Sequence, residues 1–107
     1  MIRHIVLFNL KPEVDNADRD WLFAQMQGLA KISSVRTLAV GKLLDASEDW
    51  YKARIWTDFA WALTVDFDDE AGLYVYQQDP VHLAVAQEIR KRVSTLKVLD
   101  FVSLPAK

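Results

Sequence analysis

The chain has 107 residues, 51% of them hydrophobic and 26% charged, with a formal net charge of -2; this is the balance of one packed domain, with no room for a second core. Acidic and basic residues are interspersed along its length, so no basic footprint for nucleic acid or anionic lipid is present. There is no cysteine, which removes disulfides, thiolate nucleophiles and cysteine-ligated metals and fits a reducing, cytoplasmic setting.

Residues 1–8 lack the separate charged and apolar zones of a signal peptide, and no apolar run approaches the roughly 20 residues of a membrane helix. The expectation is a cytoplasmic protein, residues 1–107 as a single domain, with neither nucleic acid nor membrane as partner. A domain of this size buries only about two-thirds of the surface its unfolded chain exposes, so pairing with a second copy would add useful burial.

From Ile2 to Leu10 the chain alternates as a strand, with Ile2, His4, Val6, Phe8 and Leu10 on one face and the apolar Ile5 and Leu7 on the other. Lys11-Pro12 ends it, because proline cannot donate to a sheet ladder. Asp15, Asn16 and Asp18 then supply capping and helix-dipole chemistry for a helix to about Lys31, with Trp21, Leu22, Met26 and Leu29 at helical spacing. After Ser33-Ser34, a second strand from Val35 to Leu43 places Leu38 and Val40 on one face and Val35 and Ala39 on the other.

The span between Leu44 and Asp58 is the longest irregular stretch and holds Trp50, Tyr51 and Trp56. It reads either as a lid or as a hairpin connection pinned by its aromatics. A third strand follows, with Phe59, Trp61, Leu63, Val65 and Phe67 on one face and Ala60, Ala62, Thr64 and Asp66 on the other. Asp68-Asp69-Glu70 opens a helix to Gln78, and Asp79-Pro80 restarts it as N-cap and first-turn proline. Val85, Ala86, Ile89 and Val93 form the apolar stripe of the restarted helix, and Val98 to Val102 is the last strand.

The resulting order, β-α-β-β-α-β, is the ferredoxin-like split arrangement: an α+β fold whose antiparallel sheet carries both helices on one face. Several strands are apolar on both faces, so two copies packing their open faces would form a dimeric α/β barrel with a small interior cavity where function would sit. No Gly-rich phosphate loop, nucleophile elbow or internal repeat is present.

Chemistry then rests on few residues. His4 lies on the apolar face of the first strand, as a pocket group or as a histidine satisfied by a buried partner. His82 lies in the first turn after the break, where the helix dipole and burial both disfavour the imidazolium; it is either a general base or a ring that holds the broken helix. Tyr74 and Tyr76 precede the break and either pack or present a hydroxyl to a cavity. Two histidines without cysteine or H-E-x-x-H spacing form a poor metal set, even with Asp66 or Asp100 added, so no metal and no cofactor are expected.

The segments Ile2-Arg3-His4-Ile5-Val6-Leu7-Phe8-Asn9-Leu10-Lys11, Asp66-Phe67-Asp68-Asp69-Glu70-Ala71, Tyr76-Gln77-Gln78-Asp79-Pro80-Val81-His82 and Val98-Leu99-Asp100-Phe101 together resemble the stress-responsive dimeric α/β-barrel (Dabb) domain family. The resemblance implies the ferredoxin-like fold, a homodimer and a barrel formed by two sheets. The family includes plant stress proteins without assigned chemistry and a plant polyketide cyclase that works by aldol condensation without metal or organic cofactor. By that resemblance His82 is the general base, Tyr76 assists it and His4 lines the pocket, while a further pocket tyrosine is replaced near Met26.

The expected catalytic residues are therefore His82 and Tyr76, with His4, Phe8, Met26 and Trp61 binding a small apolar or aromatic molecule. Two other readings use the same residues: a non-enzymatic stress-protective or structural dimer, and a cofactor-free monooxygenase.

Overall fold

The computed structural model describes residues 1–105. Strand β1 (Ile2–Leu10) runs through the middle of a four-stranded antiparallel sheet ordered β2-β3-β1-β4. Its alternation is visible in burial: Ile2, His4, Val6 and Phe8 are buried, whereas Arg3, Ile5 and Leu7 are half-buried. Asp15 caps helix α1 (Asn16–Gly28) by accepting the Asp18 N–H at 2.8 Å. Leu22 and Met26 bury its inner face. The helix was expected to reach Lys31 as one piece; its end instead tightens into a 3-10 turn over Leu29–Lys31, a common way to satisfy terminal carbonyls.

Strand β2 (Val35–Lys42) pairs with β3 (Trp61–Phe67), and the register shifts between Val35 and Thr37. This bulge turns Val35 onto the same side as Leu38 and Val40, and all three pack on the core. Simple alternation had put Val35 on the opposite face, because an inserted residue resets the period of two. Between these strands lies one turn of helix, α2 (Asp49–Lys52).

Helix α3 (Glu70–Gln78) is capped by Asp69, whose side chain accepts the Gly72 N–H at 2.8 Å. Helix α4 (Pro80–Arg92) is capped by Asp79, with the proline in its first turn. Strand β4 (Val93–Val102) begins at Val93 rather than Val98. Ser94, Thr95 and Lys97 hid its first half, because an edge strand does not need an apolar pattern to pair.

Helices α1, α3 and α4 cover one face of the sheet, where Phe8, Leu22, Met26, Val65, Phe67 and Tyr76 are almost wholly buried. The order of elements and of strands in the sheet gives the α+β ferredoxin-like arrangement. None of these three helices lies on the other face. There Arg3 donates Nε and Nη2 to the two oxygens of Asp66 at 2.7 and 3.0 Å, Thr37 donates to Asp66, and the Arg3 guanidinium lies 5.9 Å from the Phe101 ring centre. The hydrogen bonds from Arg3 hold the Asp66 carboxyl below its ordinary range. Among the described residues no helix is long and apolar enough to cross a membrane.

Candidate functional site

The α3–α4 break determines how the site is built. In an uninterrupted helix the carbonyls of Tyr76 and Gln77 would accept from the backbone N–H groups of residues 80 and 81. Residue 80 is proline and has no N–H. The Val81 N–H is taken by the Asp79 side chain at 2.8 Å. Tyr76's carbonyl accepts the Asp79 N–H at 3.2 Å, and the Gln77 carbonyl lies 3.1 Å from His82 Nδ1.

A carbonyl oxygen can only accept, so Nδ1 of His82 carries the proton and Nε2 keeps its lone pair when the ring is neutral. Burial is the main influence on this half-buried ring and lowers its pKa below the ordinary 6.5; the Gln77 carbonyl acts the other way, while the charges of His4 and Arg90 reinforce the lowering and Asp79 opposes it. The neutral ring is thus the dominant form at neutral pH, with a basic nitrogen available.

Tyr76 sits between the two histidines. Its ring centre is 4.4 Å from that of His82 and 6.1 Å from that of His4, and only 1% of the residue is exposed. Burial pushes its hydroxyl far above the ordinary phenol value, so it stays protonated and keeps an O–H to donate. His4, 5% exposed, is opposite Asp100 in the β1–β4 register. Its Nδ1 is 2.7 Å from Asp100 Oδ1. The carboxylate accepts there, so Nδ1 of His4 carries a proton.

These three rings border a pocket of about 260 Å3 whose apolar lining includes Val6, Leu63, Ala86, Ile89, Leu96 and Val98, with Gln77 and Arg90 also on it. A cavity of about 150 Å3 admits benzene, so this one has room for a substituted ring. The sequence placed the cavity between the open faces of two sheets. The structure places this pocket on the helix-covered face, within one chain, because His4 shares the face of the buried Val6 and Phe8 and α4 lies above it.

His4, Tyr76 and His82 are therefore brought together, whereas Phe8, Met26 and Trp61 are not among the groups bordering the pocket. Phe8 and Met26 have no exposed surface. Trp61, the register partner of Phe8, packs on Phe23 at 5.0 Å with Arg19 over its ring. Face periodicity identifies the side of a strand but not the position along it, and Phe8 is four residues, roughly 13 Å, beyond His4. Tyr74 is exposed. Asp100 was weighed beside the histidines only as an addition to a metal set; its contact with His4 spans 96 residues and has no local signal.

The segment from 44 to 58 does not reach the pocket. Its own hollow, about 300 Å3, is bordered only by residues between Leu44 and Tyr51 and contains no histidine. Its rings pair locally, Trp50 with Tyr51 and Trp56 with Phe59. Among the described residues no three His, Cys, Asp or Glu side chains gather where they could hold one metal ion.

Residues 2–103 match the family model described as Stress responsive A/B Barrel Domain. A Dabb family protein with a ferredoxin-like fold from Mesorhizobium loti superposes with a TM-score of 0.78 at 22% identity, over 97% of this chain and 97% of that one. A hydroxynitrile lyase from Passiflora edulis gives 0.81 at 22% identity, over 99% and 95%. A dimeric ferredoxin-like protein of unknown function from Thermobifida fusca gives 0.77 at 24% identity, over 95% and 90%. At these identities the likeness establishes the fold. No curated protein matches the sequence.

Proposed function

We propose, from the premise that the chain belongs to the stress responsive A/B barrel domain family, that it is a homodimer binding a small, largely apolar molecule beside His4, Tyr76 and His82. In this reading the pocket carries out cofactor-independent acid–base chemistry. The observation that carries it is the Gln77 carbonyl at His82 Nδ1, which leaves Nε2 as a base in an apolar pocket. His82 Nε2 takes a proton from carbon next to a carbonyl, Tyr76 donates a hydrogen bond to the enolate oxygen, and the Asp100-oriented His4 ring holds the far side. One solved neighbour is a hydroxynitrile lyase, so this scaffold supports an enzyme in at least one protein.

The homodimer is supported by the uncovered sheet face, where Leu99 and Phe101 are exposed, and by neighbours described as dimeric. The test uses acetophenone in deuterated buffer, with NMR detection of methyl deuteration. The protein should accelerate exchange, and His82→Ala should lose the acceleration, with Tyr76→Phe retaining a part of it. Exchange at the uncatalysed rate with intact protein, or unchanged by His82→Ala, defeats the acid–base reading.

A second reading is favoured by the same hydrogen bond: His82 fastens the helix break in a protein whose role is structural. It predicts that His82→Ala lowers the melting temperature and weakens dimerisation while acetophenone neither binds nor exchanges.

A further inference from the structure

The pocket has one fully charged residue on its border, and it is a cation. Arg90 lies on α4 with His82, Ala86 and Ile89, at helical positions i, i+4, i+7 and i+8, which share a face. Its neighbours in the last turn are neutralised: Lys91 is 3.2 Å from Glu88, and Arg92 is 2.7 Å from Glu88 and 2.8 Å from Asp18. Arg90 pairs with no carboxylate among the described residues, and no Asp or Glu borders the pocket. Its charge is nonetheless felt at His82. The general benefit of a cation at a helix C-terminus is already supplied by Lys91 and Arg92.

We infer that Arg90 is the anion-recognising group of the pocket and that the ligand is a monocarboxylate whose apolar body separates the carboxylate from the end that meets His82 and Tyr76. The inference rests on the pocket reading above and narrows it to a ligand class. Eight helical residues separate His82 and Arg90 by about 12 Å along the axis. Both side chains lean toward the N-terminus, and that of Arg90 is the longer, so a substituted ring carrying a carboxylate can span the distance left between the two groups on the pocket border. The apolar Ala86, Ile89 and Leu96 border that gap. A planar fork of donors suits a carboxylate in two-point contact.

The probes are 4-acetylbenzoate and its neutral counterpart 4-acetylbenzamide, titrated into the intact protein with NMR detection at the His82 ring. Arg90 is exposed, where an ion pair contributes up to about 1 kcal/mol. The benzoate is therefore expected to bind about fivefold more tightly than the amide. Arg90→Gln should abolish that preference without lowering the melting temperature, and Arg90→Lys should restore part of it. The bound carboxylate also offsets the positive charge at His82, so the His82 pKa rises with the benzoate and not with the amide. His4, Asp79 and Tyr76 face the ring in both complexes and are unchanged by the exchange of probes. Equal binding of both probes at His82 overturns the role of Arg90 while leaving the pocket reading intact. Binding of neither overturns both.

Discussion

The α3–α4 junction and the β2–β3 connection both interrupt regular structure and both are rich in aromatic side chains, but they use them in opposite ways. At the junction, Tyr76 is 1% exposed and its ring meets His4, Phe67 and His82 from three different elements. In the connection, Trp50 is 62% and Trp56 55% exposed, and their ring partners lie one and three residues away in sequence. Polar contacts fix the two regions at different points. Those of the junction are tied to a carbonyl and to the capping carboxylate of Asp79, whereas the connection is held at its far end by Asn9, which donates to the Asp58 carbonyl at 2.8 Å and accepts the Ala60 N–H at 2.9 Å, and nearer its middle has Lys52 3.7 Å from Asp45. Aromatic content alone does not mark a site; convergence of distant elements on a ring does.

The contrast is open to direct test by mutation. Tyr76→Ala should destabilise the protein by about 3–5 kcal/mol, the usual cost of emptying a buried aromatic site, while Trp50→Ala should stay within about 0.5 kcal/mol; paired urea titrations measure both. Comparable losses would mean that the connection is as integrated as the junction.

Asp100→Ala should come next, at about 1–3 kcal/mol, because it leaves the Nδ1 proton of the buried His4 without its acceptor. Asp100→Asn keeps an acceptor and should recover most of that loss in the same titration.

The smallest effect concerns pH. The His82 pKa is lowered in the folded protein from 6.5, so the unfolded chain binds the proton more readily. The stabilisation is therefore complete above about pH 6.5 and is lost as pH falls through the lowered folded value. Thermal melts between pH 7.5 and 5 should show this decline, and His82→Gln should flatten its contribution.

Much of the architecture was readable because the signals are local. Asp69 and Asp79-Pro80 fix helix starts within a turn, and the alternation from Phe59 to Phe67 fixes a face without knowledge of its partner. His82 and Tyr76 were legible for the same reason, since six residues around one break bring them together. What failed depends on register. The bulge beside Arg36, the pairing of His4 with Asp100 and the position of Phe8 and Trp61 along the sheet appear only when strands are aligned. The side of the sheet that carries the pocket was misjudged for a related reason: alternation shows that β1 has two apolar faces but not which one α4 covers.

The choice of tautomer at His82 has a consequence for how this site tolerates change. Its partner is main-chain oxygen, which every amino acid at position 77 supplies equally. Substitutions there can remodel the pocket wall while the base keeps the same nitrogen free. The vulnerable element is the Asp79-Pro80 pair: the proline disfavours helical backbone at Asp79, which is extended, and the Asp79 side chain then takes the Val81 N–H and leaves the Gln77 carbonyl to His82. In this fold the orientation of the base is inherited from the cap of the helix that carries it.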